Sequence, residues 1–273
     1  MMKVDTEKCT GCGLCARDCF TGDIKMSSGK AKIRNITCFK CGHCIAVCPV
    51  NAITTDEYDM HEVKEYSKEK FDIDPENLLN FIKFRRSVRQ FKSIDVAKDK
   101  LEAIIEAGRF TQTGGNLQDV SYTVVRENLE EIKELTYETL YHMGEHTLAN
   151  PSPENESHRM YAKMWVDMYR KYRDNPAEND KLFCNAPAII ITTAFSDVNA
   201  SLASSNMELM ANALGLGTFF SGFFVRAAAV NPEIREMAGV PEGKHIVTCM
   251  TIGYPDVKYR RTVPRKAADI SWK

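Results

Sequence analysis

The sequence predicts a mixed α+β protein that consists of a small cysteine-rich domain and a larger domain of helices around a central sheet. Two observations lead to this division. Eight of the ten cysteines fall between Cys9 and Cys48, in two tight groups. After residue 72, segments with the period of amphipathic helices alternate with short apolar runs that are typical of strands. A chain of 273 residues is long enough for both domains.

Composition and charge exclude several classes of function. The formal net charge is -1, from 36 basic and 37 acidic residues, so neither nucleic acid nor an anionic membrane is expected as the main partner. No apolar run approaches the roughly 18 to 20 residues of a membrane span, and the first ten residues lack the apolar stretch of a secretory signal. We therefore expect a soluble, cytoplasmic protein, in which clustered cysteines indicate metal ligation rather than disulfides.

The two cysteine groups form an internal repeat with spacings of three, three and four residues. The first group is Cys9, Cys12, Cys15 and Cys19, and the second is Cys38, Cys41, Cys44 and Cys48. Three closely spaced thiolates in a glycine-containing loop can wrap one corner of an iron–sulfur cube, which then needs a fourth ligand from elsewhere. Zinc is the alternative, but zinc sites usually pair two C-x2-4-C units across a longer gap. His43 lies inside the second group, where we expect a surface role or a contact behind the ligands.

Over residues 1 to 60 this pattern resembles the bacterial ferredoxins that carry two clusters, in which each repeat donates its fourth cysteine to the cluster of the other repeat. The resemblance implies two [4Fe-4S] clusters. Their ligand sets are Cys9, Cys12, Cys15 and Cys48 for one cluster, and Cys38, Cys41, Cys44 and Cys19 for the other. Phe20 stands where the ferredoxin repeat usually has proline, a departure that removes no ligand.

A polar segment at residues 61–73 is expected to be a linker, and residues 74–273 are expected to form the second domain. Asp74 and Pro75 are typical of the cap and the first position of a helix. Further helices are predicted in "VAKDKLEAIIEAG" and "NASLASSNMELMANALGLG", and strands in "SYTVVRE", "APAIIITTAF" and "HIVTCMTIGYP". The longer helix carries a stripe that suits a core or a dimer contact, made of Ala200, Ala203, Met207, Met210 and Leu214. No G-x-G-x-x-G follows a strand, which disfavours a Rossmann site.

Four short segments of the second domain have the chemistry to hold a phosphorylated, conjugated cofactor. In chain order their candidate residues are Arg85, Arg86, Ser87 and Arg89; Thr113, Gly114, Asn116 and Gln118; Ser221 and Gly222; and Arg260 and Arg261. Guanidinium groups match phosphate oxygens, although a basic helix end by itself is more often a solvated terminus. No side chain stands out as an obligatory catalytic acid or base.

In this order the four segments resemble the nitroreductase superfamily over residues 79 to 273. The resemblance implies a homodimer with FMN at its interface. The first and last segments would hold the phosphate and ribityl, the Asn116 loop would come from the partner subunit, and the backbone at Ser221 and Gly222 would face the redox edge. The chain departs from the family at Asp119 and Val120, where Pro and an aromatic residue often follow Gln118, and at Ser221, where many relatives are acidic.

The helix predicted in "HRMYAKMWVDMYRKY" carries two stripes, one of Met160, Met164 and Met168 and one of Tyr161, Trp165, Tyr169 and Tyr172. Its simpler interpretation is an amphipathic helix packed on the domain, and its functional interpretation is a roof over the flavin that admits a flat acceptor. Cys184 and Cys249 are expected to be buried free thiols.

Together these features predict an FMN-dependent oxidoreductase in which a low-potential donor, such as a reduced ferredoxin-like protein, feeds electrons through two clusters to FMN. The acceptor implied by the resemblance is a small nitroaromatic, quinone or related conjugated compound. Two alternatives stay open: NAD(P)H as the direct donor with accessory clusters, or an electron relay to a protein partner without a small-molecule substrate.

Overall fold

The structure, a computed structural model, describes residues 1–151 and 158–273. The chain divides into two compact units. The first consists of Met1–Asp74 together with Thr113–Gln118, and the second of Pro75–Gln112 and Asp119–Lys273. None of the helices in the described parts of the chain is both long and apolar enough to cross a membrane.

The first unit contains two small antiparallel sheets and two short helices. Strand β1 (Met2–Val4) pairs with β4 (Ile53–Thr55), and β2 (Ile24–Ser27) pairs with β3 (Lys30–Ile33). Helices α1 (Leu14–Asp18) and α2 (His43–Ala46) follow the repeated loops. The β2–β3 hairpin turns through Ser28 and Gly29, both at positive φ (49° and 73°), which is the geometry of a tight two-residue turn.

The core of the first unit is small and includes cysteines of the two repeats. Its buried residues are Cys15, Ile24, Ala31 and Ile53. Gly11 lies at φ +74°, and a Cβ there would fall on the carbonyl oxygen of Gly29. Only glycine therefore allows the first cysteine loop to pass the hairpin turn. The segment expected to be a linker contains a 3₁₀ turn (Met60–Glu62) and α3 (Lys68–Phe71), and most of its side chains are exposed.

The second unit is built on a four-stranded antiparallel sheet in the order β5-β6-β8-β7. The strands are β5 (Ser121–Val125), β6 (Ala188–Ala194), β7 (Gly217–Phe220) and β8 (His245–Gly253). The three strands predicted from apolar runs are β5, β6 and β8. Strand β7 was not predicted, because four residues after a glycine turn give too short a pattern to distinguish a strand from a loop.

Helices cover both faces of this sheet. In chain order they are α4 (Pro75–Phe84), α5 (Lys98–Arg109), α6 (Leu129–Ala149), α7 (Arg159–Asp174), α8 (Pro176–Asn179), α9 (Asp197–Ala213), α10 (Gly222–Val230) and α11 (Pro232–Met237). Strand β6 is buried along its whole length. Its Ile190 packs with α5 and α9, whereas Ile189 and Ile191 pack with α6, α7, α10 and α11. The α+β fold class is thus confirmed.

Candidate functional site

The eight clustered cysteines surround two hollows in the first unit, four to each hollow. One hollow is lined by Cys9, Cys12, Cys15 and Cys48, and the other by Cys19, Cys38, Cys41 and Cys44. Each hollow therefore takes three cysteines from one repeat and the fourth from the other. This grouping is required if each repeat donates its fourth cysteine to the cluster of the other repeat. Among the described residues, no three Cys, His, Asp or Glu side chains converge on a single metal-ion position.

Backbone geometry explains how the repeats hold their thiols around a hollow rather than at one point. Gly13 and Gly42 precede α1 and α2 at φ values of 74° and 75°, a left-handed conformation that glycine adopts without cost. Backbone amides already point at sulfur: Ala52 N–H donates to Cys48 Sγ over 3.3 Å, and Lys40 N–H donates to Cys38 Sγ over 3.4 Å. Such donors stabilise thiolate ligands and tune cluster potentials.

The thiols of the two loops differ in their electrostatic surroundings. Burial raises the pKa of the Cys44 thiol to about 11, whereas backbone N–H groups of Ala31 and Gly11 lower the pKa of Cys9. Metal ligation requires the thiolate. His43 is exposed, and its Nδ1 lies 3.1 Å from Asp18 Oδ2, so it takes the surface position that the sequence predicted.

The segment Thr113–Gln118 packs within the first unit. Asn116 Nδ2 donates to the carbonyl oxygens of Phe39 (3.0 Å) and Lys40 (3.1 Å), inside the second cysteine loop. Gln118 Nε2 donates to the Tyr58 hydroxyl over 2.8 Å. The resemblance assigned Asn116 and Gln118 to the flavin, and the structure adds a second set of contacts that sequence reasoning missed. Thr113 and Gly114 shape the loop: Thr113 Oγ1 accepts from Gln118 N–H, and Gly114 opens the short 3₁₀ turn Gly114–Asn116.

In the second unit, Arg85 is bound to a carboxylate. Its Nη1 lies 2.5 Å from Glu208 Oε1, and the Glu208 side chain is 10% exposed. Thr218 Oγ1 also donates to Glu208 Oε1, over 3.5 Å. Sequence reasoning missed Glu208, although a single carboxylate in the small-residue stretch of α9 is a usable signal. Because Arg85 is already ion-paired with Glu208, it is less available to bind a phosphate than its sequence neighbour Arg86.

That neighbour, Arg86, has an unsatisfied donor. Its Nε is buried without a hydrogen-bond partner among the described residues, and its guanidinium carbon lies 4.8 Å from the centre of the Tyr259 ring. A buried donor without an acceptor is costly, and an anionic ligand would satisfy it. Arg89 is exposed beside Phe219, with its guanidinium carbon 5.1 Å from the ring centre.

The segment that carries these arginines is held by β7, the strand at one edge of the sheet. Ser87 forms a parallel bridge with Thr218 in β7, and Val88 N–H donates to Thr218 O over 2.8 Å. A Cβ at Gly217 would lie 2.6 Å from Val88 Cγ2, so glycine is what permits this close approach. The chain that follows β8 contacts the same segment, because Tyr259 donates its hydroxyl to Ser87 O over 3.3 Å. Arg260 and Arg261 follow directly and are exposed.

Ser221 and Gly222 lie where β7 gives way to α10. Ser221 is buried, and its N–H donates to Cys249 O over 2.8 Å. Gly222 begins the helix, and a Cβ at this position would meet no atom within 4 Å. The first amides of a helix have no acceptor within it and carry the positive end of its dipole. This junction can therefore donate hydrogen bonds to an electron-rich ring edge.

An aromatic group adjoins the start of α10. The rings of Tyr161 and Trp165 in α7 meet Phe223 edge-on, with centroids 6.0 and 5.8 Å away. Trp165 is buried, and its Nε1 has no partner among the described residues. Met168 is buried as well, whereas Met160 is exposed. Helix α7 packs on α6 as the simpler interpretation expected, and its first turns bring aromatic rings to the Ser221–Gly222 junction.

Asp119, one of the departures from the family pattern, has a structural role in the second unit. It is buried and accepts from the N–H groups of Phe195 and Ser196 and from Asn199 Nδ2. Burial opposes ionisation, but these hydrogen bonds outweigh it and lower the pKa of Asp119. The carboxylate thus anchors the junction between β6 and α9. Cys184 and Cys249 are buried as predicted, and burial raises the pKa of both thiols, that of Cys184 to about 11.

Comparisons with known proteins follow the same division of the chain. Residues 1–49 match the model of the 4Fe-4S dicluster domain, and residues 82–254 match the model of the nitroreductase family. An NADPH-flavin oxidoreductase of Vibrio harveyi is 25% identical over 66% of this chain and 66% of its own length. A protein of Archaeoglobus fulgidus, named for NADH dehydrogenase or NAD(P)H nitroreductase activity, is 25% identical over 66% of this chain and 86% of its own length.

Solved structures share the fold at lower identity. A nitroreductase of Bacteroides fragilis with bound FMN is 23% identical and gives a TM-score of 0.55 over 71% of this chain and 98% of its own. A nitroreductase of Desulfitobacterium hafniense with bound FMN is 23% identical and gives 0.53 over 71% and 97%. The predicted fusion is confirmed by the two family matches: the chain belongs to the nitroreductase family and carries a 4Fe-4S dicluster domain in front of it.

Proposed function

We propose that this protein is an FMN-dependent oxidoreductase that passes electrons from a low-potential donor through two [4Fe-4S] clusters to FMN and on to a small conjugated acceptor, such as a nitroaromatic or a quinone. The observation that carries the proposal is the pair of four-cysteine hollows in the same chain as a nitroreductase fold. When bound, the clusters supply one-electron transfer and the flavin supplies exchange between one-electron and two-electron chemistry.

The residues present fit an anionic cofactor in the second unit. The buried Arg86 Nε offers an unused donor, and Ser87, Arg89 and the Arg260–Arg261 pair belong to segments tied to one another through β7 and the chain after β8. We assign the phosphate to Arg86 first. We assign Arg85 mainly to the ion pair with Glu208, through which it positions the segment.

At the other end of the cofactor, the Ser221–Gly222 junction would hold the redox edge. The first amides of α10 and its helix dipole would stabilise negative charge on a reduced ring. The exposed Tyr161 ring, packed against Phe223 and backed by the buried Trp165, would provide an apolar surface beside it for a flat acceptor. The chain thus contributes binding, orientation and electrostatics, and no side chain is required as an acid or base.

We propose a homodimer with FMN at its interface. Helix α4 has no buried residue, and Leu78, Leu79 and Ile82 are 40%, 49% and 42% exposed. An apolar helix face of this extent fits a subunit contact better than contact with water. We also place the enzyme in the cytoplasm, where reduced one-electron carriers and free thiols are available.

Cofactor analysis of the anaerobically purified protein is the first test. We expect about eight irons with matching sulfide per chain, one FMN, and no zinc. Equilibrium titration with dithionite should then reduce both clusters and flavin, and the reduced protein should be reoxidised by a nitroaromatic or a quinone. Zinc in place of iron, or iron without flavin, would overturn the proposal.

A second candidate donor is NAD(P)H, acting directly on the flavin, and the names of the relatives from Vibrio harveyi and Archaeoglobus fulgidus favour it. The full chain with Cys12→Ser and Cys41→Ser, which removes one ligand from each hollow, separates the two donors. If NAD(P)H is the donor, turnover with NADPH survives in this variant at the parent rate. If the clusters are the entry, turnover with a low-potential one-electron donor is lost and NADPH supports little in either protein.

A further inference from the structure

The two hollows of the first unit differ at one corresponding position of the cysteine repeat. The fourth residue after Cys48 is Ala52, and its N–H donates to Cys48 Sγ over 3.3 Å. The fourth residue after Cys19 is Asp23. Ala52 lines the hollow of Cys9, and Asp23 lines the hollow of Cys19. The repeat therefore places a methyl side chain beside one hollow and a carboxylate at the equivalent place beside the other.

The Asp23 carboxylate is buried and fixed. It is 0% exposed and accepts the N–H groups of Asn35 (2.7 Å), Ile36 (3.1 Å) and Thr37 (3.0 Å). The Thr37 hydroxyl also donates to it, over 3.2 Å. Burial opposes ionisation, but these donors outweigh that effect and lower the pKa of Asp23. Because Thr37 directly precedes Cys38, the loop holds a negative charge within one residue of a cysteine of this hollow.

Two other ionisable side chains at the hollow of Cys19 are exposed. Arg34 Nε lies 3.8 Å from Asp23 Oδ1, but the Arg34 side chain is 41% exposed. His43 also lines the hollow, and it is exposed and paired with Asp18. Water and salt screen exposed charges much more than buried ones. The buried carboxylate is therefore the charge that acts most strongly on a group bound in this hollow.

The hollow of Cys9 has the opposite surroundings. Apart from its cysteines, none of the described residues that line it is ionisable. A cation lies at its edge, because the half-buried Lys30 donates its ammonium group to the carbonyl oxygen of Cys9. An added electron carries negative charge, which a nearby anion repels and a nearby cation attracts. The surroundings thus disfavour an added electron in the hollow of Cys19 and favour it in the hollow of Cys9.

We propose that Asp23 sets the two clusters apart in reduction potential, so that an electron shared between them rests in the hollow of Cys9. The inference rests on the proposed function, because it takes both hollows to hold [4Fe-4S] clusters, whose potentials depend on nearby charge and hydrogen bonds. Each cluster gains one electron, which the low-potential donor loses, with no bond formed and no proton transferred. Between the clusters, electrons then move from the hollow of Cys19 to the hollow of Cys9.

Redox titration of the full holoprotein with dithionite, followed by electron paramagnetic resonance, tests the proposal. The parent should show two cluster potentials. Asp23→Asn removes the charge and keeps an oxygen that accepts hydrogen bonds. It should raise the lower potential by about 59 mV, a tenfold change in the one-electron equilibrium, and leave the upper potential in place. Asp18→Asn is the matched control, because it removes an exposed carboxylate next to Cys19 and should change the same equilibrium by less than about twofold.

Two further variants keep the test decisive if Asp23→Asn does not fold. Cys48→Ser leaves four cysteines only in the hollow of Cys19, so its remaining cluster should have the lower potential. Lys30→Gln keeps a donor for the carbonyl oxygen of Cys9 and should lower the upper potential, since it removes the cation.

Three results would overturn the inference: one shared potential in the parent, the upper potential for the cluster that Cys48→Ser retains, or unchanged potentials in Asp23→Asn. Unchanged potentials with loss of iron would make Asp23 an anchor of the loop only. Iron, sulfide and flavin contents of the same samples separate this failure from failure of the proposed function. If the parent holds both clusters and FMN while Asp23 leaves the potentials unaffected, the tuning role is wrong and the electron route stands.

Discussion

The two units of this protein differ in how much of their chemistry a linear pattern contains. In the first, spacings of three, three and four residues predicted eight candidate ligands, and the structure gathers them into two hollows. Three of the four candidate cofactor segments lie in the second unit, where folding pairs Arg85 with Glu208 and leaves the Nε donor of Arg86 without a partner among the described residues. A site built from one short repeat is readable from sequence, whereas a site assembled across a sheet depends on residues that the pattern does not mark.

The largest expected effect tests the exchanged ligands of the first unit. Cys48→Ser should lower iron from about eight to about four per chain by emptying the hollow of Cys9, and Cys19→Ser should empty the other. Each variant should keep the electron paramagnetic resonance signal of the remaining reduced cluster. Cys184→Ala is the matched control outside the repeats and should keep all the iron. If Cys48→Ser instead removed the cluster of its own repeat, the assignment of fourth ligands would be wrong.

A second test asks whether neighbouring arginines of the second unit really have different roles. Arg86→Ala should weaken FMN binding by about tenfold to a hundredfold, the worth of a charge-assisted hydrogen bond. Arg85→Ala should instead lower the free energy of unfolding by about 2 to 3 kcal/mol, because it leaves the Glu208 carboxylate buried and unpaired.

The measurements are FMN dissociation constants and denaturant unfolding for both variants. Adding Glu208→Gln to Arg85→Ala should recover much of the lost stability, since no buried charge then remains. Equal losses of FMN affinity in the two arginine variants would show that Arg85 leaves Glu208 to hold the phosphate, and the distinction between the two residues would fail.

The same comparison of the two units shows which elements and residues can be predicted from the sequence. It predicted the fold class, strands β5, β6 and β8, the start of α4, and the presence of α5 and α9, because periodicity and caps are local. It did not predict β7, whose four residues are a strand only because they pair with β8. It missed Glu208 and Tyr58, and it named Asp119 without its structural role, since each of the three contacts a residue at least 58 positions away. Burial and pairing at such separations are products of folding, not of local pattern.

Asp119 offers a smaller, pH-dependent effect in the second unit. Its pKa is lowered in the folded protein, so the stability it contributes is present above the unfolded value of about 3.9 and is lost as pH falls through the folded value. Asp119→Asn should cost about 2 kcal/mol at pH 7, and the difference from the parent should shrink below about pH 4. Urea unfolding at pH 7 and pH 3.5 measures both. A pH-independent difference would assign the loss to packing instead.

Asn116 gives the smallest expected effect, and the family resemblance and the structure give it different partners. The family resemblance assigns its loop to the flavin, whereas its amide donates to the Phe39 and Lys40 carbonyl oxygens in the second cysteine loop. Asn116→Ala should cost about 1 kcal/mol and speed hydrogen exchange at residues 38–42. Asn116→Asp should speed it further, since a carboxylate would face two carbonyl oxygens.

Gln118→Ala is the matched control, because it loses only the Tyr58 hydroxyl and should leave exchange at residues 38–42 unchanged. FMN affinity measured on the same proteins decides between the two assignments. Faster exchange with unchanged FMN affinity means that Asn116 serves the cysteine loop alone. Weaker FMN binding with unchanged exchange would return it to the flavin. Changes in both would make Asn116 a residue shared by the two cofactors, and mutation of one loop would then alter cluster and flavin together.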